Sequence, residues 1–233
     1  MLPGMYSGMG GGVASNELTI THTDSETQYN GSFQSVWTFT SQSIGTADAS
    51  RLVVVLVSSF DDAVAGALTS ITVGGVSCAI EEFTHDNVYR ASISAAARAI
   101  PTGTTATVVV TFTTSRPECS INVFAITGDR VASATPISSG GSTYVNTTTP
   151  LVPSVDVGAG AVVLSGICCY VGGGVNYGST SDLTNFFEMQ NPTGYESSVA
   201  WGWEPTGTVA VSWYPTPAGT WGLADVAGAW AFT

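Results

Sequence analysis

Two histidines, His22 and His85, are the groups best suited to move protons near neutral pH. His85 lies in an acidic run, where Glu81, Glu82, His85 and Asp86 place carboxylates and an imidazole within six residues. Such a set could bind a metal ion or do acid–base work. Directly after a strand, however, the same residues make a solvated turn, and that is the stronger reading. Asp61-Asp62 could contribute carboxylates to calcium in a loop, but the spacing lacks the ligand pattern of an EF-hand. A nucleophile elbow (Gly-x-Ser-x-Gly), a His-Glu-x-x-His zinc motif and a phosphate-binding Gly-x-x-x-x-Gly-Lys are all absent from the sequence. The glycines at positions 8, 10, 11 and 12 do not fit the dinucleotide pattern. A glycoside hydrolase needs two carboxylates that can come from anywhere in a chain, and no pair stands out. The expectation is a protein with no catalytic residues, no metal and no cofactor.

Aromatic and sulfur-bearing residues offer binding rather than catalysis. Trp201 and Trp203 are two apart on one predicted strand and so share a face, and Trp221 follows; an exposed platform of this kind could stack on sugar rings. Trp213 and Trp230 fall on alternating faces that read as core. Cys78, Cys119, Cys168 and Cys169 contain no Cys-x-x-Cys pair, which argues against zinc. They are expected to be reduced thiols acting as small buried hydrophobes, with a Cys78–Cys119 bridge left open. Asn30-Gly31-Ser32 and Asn146-Thr147-Thr148 match the glycosylation sequon but carry little weight without a signal peptide.

The elements that would position these groups are strands. Ala106, Val108, Val110 and Phe112 alternate with threonines, and Ala91, Ile93 and Ala95 alternate with serines. Leu52–Val57 is apolar on both faces, as in a strand covered on both sides. Further strands are predicted over Ser120–Thr127, Ala161–Val171, Tyr195–Trp203, Thr208–Trp213 and Asp225–Phe232. Asn30-Gly31 and Gly74-Gly75 each mark a two-residue hairpin turn. No helix is predicted. The fold class expected is therefore all-β, an antiparallel sandwich or jelly-roll-like domain over 17–233.

Two segments fall outside this pattern. Residues 1–16 hold three of the four methionines and five glycines, and read as an extended arm that either packs back on its own domain or docks on a neighbour, where Leu2, Met5, Tyr6 and Met9 would seat in a groove. That stretch has neither the basic region nor the apolar core of a secretory signal. Residues 172–194 read as a long loop with an apolar knot at Phe186, Phe187 and Met189, which is a contact site if exposed and, more commonly, the loop's own anchor if tucked in.

Charge narrows the partners. Five arginines, no lysine and 17 acidic residues give a net charge of −12, and only 9% of residues are charged. So anionic a chain is not expected to bind nucleic acid or an anionic membrane surface. With 44% hydrophobic residues it is not disordered either.

From Arg51 to Gly128 the chain reads RLVVVLVSS, ITVGGVSC, VYRASISAAARAIPTGTTATVVVTF and INVFAITG. This stretch, a third of the chain, resembles a β-rich domain of structural proteins of tailed bacteriophages, especially those of marine and other alphaproteobacterial hosts. Its strongest element is the strand–turn–strand around Arg98-Ala-Ile-Pro-Thr-Gly-Thr-Thr. The resemblance implies a non-enzymatic virion component, assembled in the cytoplasm of a bacterial host. It implies contacts with the major capsid or tail protein and with copies of itself, a trimer being one such arrangement. Head decoration ranks above a tail or fibre component with a carbohydrate-binding role in host attachment, since neither a heptad pattern nor a repeat is present to build a shaft.

Overall fold

A computed structural model describes residues 18–60, 67–84, 91–128, 133–144, 152–158, 160–170, 176–180, 183, 185–190, 195–204, 207–216 and 224–233. All regular structure in these residues is strand, and every pairing is antiparallel, as the periodicity predicts. The first sheet contains β1 (Thr19–Ser43), β2 (Leu52–Phe60), β3 (Leu68–Val73), β4 (Val76–Ser77), β5 (Ala79–Thr84), β6 (Ser92–Ala99) and β7 (Thr105–Thr127). Its order is β4-β3-β7-β2-β6-β5, with β1 on β7. The second comprises β8 (Ser138–Tyr144), β10 (Ala161–Tyr170), β12 (Asn185–Gln190), β13 (Tyr195–Glu204) and β16 (Ala224–Phe232) in the order β12-β13-β10-β16-β8. Two small ribbons pair β9 (Ser154–Val157) with β14 (Gly207–Ala210), and β11 (Asn176–Thr180) with β15 (Ser212–Thr216).

Three apolar clusters hold these layers. The first sheet curls on itself into a nearly closed barrel, filled by Trp37, Phe39, Val53, Val55, Ile71, Val110, Ile121 and their neighbours. Residues of opposite parity on β2, such as Val54 and Leu56, pack with Phe124, Leu164 and Trp230 between the two large sheets. Behind the second sheet, Val163, Ile167 and Ala229 meet Val155, Val211 and Trp213. β2 is thus buried along its whole length, which is why its sequence does not alternate.

Long strands bend where their periodicity fails. Expected as two strands, Thr105–Thr114 and Ser120–Thr127, the chain instead runs through both as β7. Even-numbered Val108, Val110 and Phe112 line the barrel interior in its first half, and odd-numbered Cys119, Ile121 and Val123 in its second. Strict alternation forbids that change of parity, so the strand must turn a corner between them. The register between β1 and β7 breaks at the same place, around Gln34 and Arg116.

β1 follows that corner. Gln28 Nε2 donates to the Thr38 carbonyl at 3.0 Å, and Gln42 Nε2 donates to Glu26 Oε2 at 2.6 Å. Ten extended residues would span about 33 Å, so β1 must double back between these positions. The two-residue hairpin predicted at Asn30-Gly31 does not form: β1 runs through these residues as one strand, and both its halves pair with β7 and not with each other. Asn30 Oδ1 accepts from Ser32 N and Nδ2 donates to Gln34 Oε1, but the left-handed residue is Phe33 at φ 53°, not Gly31. The second turn forms as expected, with Val73 opposite Val76 and Gly74 and Gly75 at φ 59° and 79°.

Two further expectations are corrected. The segment 172–194 is not a single loop, because β11 and β12 lie within it and β12 pairs with β13. Thr208–Trp213 is not one strand: Val211 leaves the ladder to donate to the Pro153 carbonyl, splitting it into β14 and β15.

Candidate functional site

One histidine lies beside the core between the two large sheets. His22 stands on β1 opposite Phe124, with Nε2 3.2 Å from Asn122 Oδ1. Its ring centroid is 5.0 Å from Phe124 and 5.3 Å from Trp201, and those two rings are themselves 5.3 Å apart, edge to face. Burial pushes the imidazole below its ordinary pKa of 6.5, against the opposing effects of the Asn122 bond and the Asp24 charge. His22 is therefore neutral near pH 7. Its bond to Asn122 is to an amide, which cannot relay a proton, so this contact orients the ring without forming an acid–base pair. Nearby, Thr27 and Ser120 join hydroxyls at 2.9 Å.

The carboxylates next to it serve the fold-back of β1. Asp24 accepts from Ser25 N at 2.9 Å and Ser43 N at 2.7 Å. Glu26 accepts from Gln28 and Gln42. Both acids thereby tie one half of β1 to the other.

Arg51 does comparable work at the barrel mouth. It is fully buried, and its five N–H groups reach the carbonyl oxygens of Gly45, Thr46, Ile100, Thr102 and Gly103 at 2.8–2.9 Å. A planar fork with five donors suits this cluster of carbonyls, which lysine could not satisfy. Arg51 thus fastens the 45–46 loop to the Ile100-Pro101-Thr102-Gly103 turn.

Beside this lock lies a cavity of about 300 Å³ lined by Thr21, Thr23, Gly45, Thr46, Ala47, Asp48, Ala125 and Thr127. Asp48 Oδ1 accepts from Ser50 N at 2.8 Å and Ser50 Oγ at 2.6 Å, and these bonds hold the carboxyl below its ordinary pKa. Gly45 takes φ 77°, and a Cβ there would come within 3.0 Å of that of Ala125. Only glycine lets the loop approach the ribbon this closely.

The residues singled out in sequence do not meet in one place. Trp201 is partly buried against the inter-sheet core and the His22 ring, while Trp203 lies opposite Val162 in the β10–β13 register. Phe186, Phe187 and Met189 are on β12, opposite Ala200, Val199 and Ser197 of β13. Leu2, Met5, Tyr6, Met9, Asp61, Asp62, His85, Asp86 and Trp221 lie outside the described residues. Trp213 and Trp230 are wholly buried, and Trp213 Nε1 donates to Ser165 Oγ at 3.0 Å. Cys78, Cys119 and Cys168 are free thiols. Burial lifts Cys78 to about 11 and raises Cys119 well above the thiol range, so neither is poised as a nucleophile. Among the described residues no group of three or more metal-ligating side chains forms.

The threonine-lined cavity and the Arg51 lock were not apparent from sequence. Their members are scattered from position 21 to 127, and threonine in a β protein gives no distinguishing signal. Compared with known proteins, the chain matches no family model, no curated protein and no solved structure.

Proposed function

We propose that this chain is a non-enzymatic structural protein of a tailed-bacteriophage particle, carried on the particle surface as a capsid decoration protein. The observation that carries this reading is the tip of β1. Tyr29, Phe33 and Val36 are large apolar residues exposed by 55%, 44% and 49%. No charged residue lies between Glu26 and Asp48, in a chain of net charge −12. Exposed apolar side chains in a stretch without charge suit protein–protein contact. The proposed partners are copies of the chain and the shell protein beneath. The resemblance over 51–128 and the structural use of Arg51, Asp24 and Glu26 support the same reading.

Immunogold labelling of purified particles with an antibody against 17–233 tests it. Gold over the heads is the expected result. Gold confined to the tail would favour a tail or fibre component with a host-attachment role, and unlabelled particles would remove the proposal. Deleting residues 1–16 is expected to leave a folded protein that no longer joins the particle.

A further inference from the structure

We propose that the cavity at the barrel mouth is a binding site for a single saccharide ring, a site independent of the virion reading. Its volume of about 300 Å³ is at the small end of ligand pockets, a size that suits one sugar ring better than an ion or a long oligomer. Its lining has the mixed character that a sugar requires. Thr21, Thr46 and Thr127 bring hydroxyls that can both donate and accept, as ring hydroxyls do. Asp48 supplies a charged acceptor: its Oδ1 is engaged by Ser50, which leaves Oδ2 for a sugar hydroxyl. Thr23 differs from the other threonines. Its Oγ1 lies within reach of the backbone carbonyls of Ser43 and Val123 and gives its one hydrogen to either, so it offers the cavity its methyl group. With Ala47 and Ala125 it forms an apolar backing for the C–H face of a ring.

The site is also built in advance. Arg51 holds the carbonyls of Gly45 and Thr46 from behind, and Gly45 permits the loop's close approach to Ala125. A loop fixed in this way loses little freedom when a ligand enters. One carboxylate among hydroxyls is too few anionic ligands for a dedicated calcium site, which draws six to eight oxygens around the ion.

Amide-resolved NMR of the full chain, titrated separately with glucose, galactose, mannose and N-acetylglucosamine, tests the assignment. The expected result is saturable shifts at residues 21–23, 45–48 and 125–127 for at least one sugar, with a Kd on the order of 1 mM. Asp48→Asn keeps an oxygen for Ser50, and Thr46→Val keeps the side-chain shape; each is expected to weaken binding about tenfold. No saturable shift with any of the four sugars would overturn the proposal, as would shifts centred on Trp201 and Trp203. So would calcium chloride alone producing the saturable shifts at these residues.

Discussion

Arg51 shows how a single residue can decide a local structure. Five backbone carbonyls from two segments, 45–46 and 100–103, depend on its guanidinium. Arg51→Lys keeps the charge but offers three donors from one point, so some of the five carbonyls lose their side-chain donor. A hydrogen bond to a charged group contributes about 1.5–3 kcal/mol, and urea denaturation should show a loss of about that size. An unchanged midpoint would mean that water replaces the side chain. His22 makes a second residue-level prediction. Its folded pKa lies below 6.5, so the unfolded chain takes up the proton first as pH falls. The stability from neutral, buried His22 is therefore complete above pH 6.5 and declines as pH drops from there toward the folded pKa. His22→Gln should flatten this part of the pH–stability curve, measured as urea midpoints at intervals from pH 7.5 downward.

At the level of elements, the sequence is legible where packing is two-sided or strictly alternating. Leu52–Val57 reads as a doubly covered strand because every residue is apolar, and Gly74-Gly75 reads as a turn because both glycines take positive φ. It is illegible where strands bend. The corner in β7 carries Ser115-Arg116-Pro117-Glu118, a polar stretch with a proline that cannot donate to the ladder, so the valine run before it and the Ile-Asn-Val-Phe run after it look like two separate strands. β12 was hidden because apolar Phe186 and Phe187 are adjacent, which breaks the alternation that signals a half-buried strand. The reversal in β1 is the instructive case. Asn30 and Gly31 mark its place, yet the backbone assigns the left-handed conformation to Phe33. A bulky residue there carries strain of order 1 kcal/mol. Phe33→Gly should therefore leave the protein equally stable or raise its thermal midpoint by a few degrees. A marked fall in the midpoint would show instead that Phe33 is anchored by packing, despite its 44% exposure.

For the whole molecule, the distribution of charge matters more than its amount. Of the five arginines, Arg51 and Arg116 are buried, so at most three positive side chains face outward beside 17 acidic residues. Copies of the chain therefore repel one another over most approaches. Repulsion is weakest at the tip of β1, which also exposes Tyr29, Phe33 and Val36. Contact between copies through this tip should strengthen with salt, because screening removes the repulsion while leaving apolar burial intact. Sedimentation of the full chain in about 50 mM and about 500 mM sodium chloride, where the screening length falls from roughly 14 to 4 Å, provides the test. The expected result is a larger average mass at high salt, abolished when Tyr29→Ser and Phe33→Ser are combined. Salt-independent association, or association that survives the double substitution, would remove the tip from the interface and direct attention to residues 1–16. Association that weakens with salt would require positive charge at the contact, and Arg98 is the exposed arginine among the described residues able to provide it.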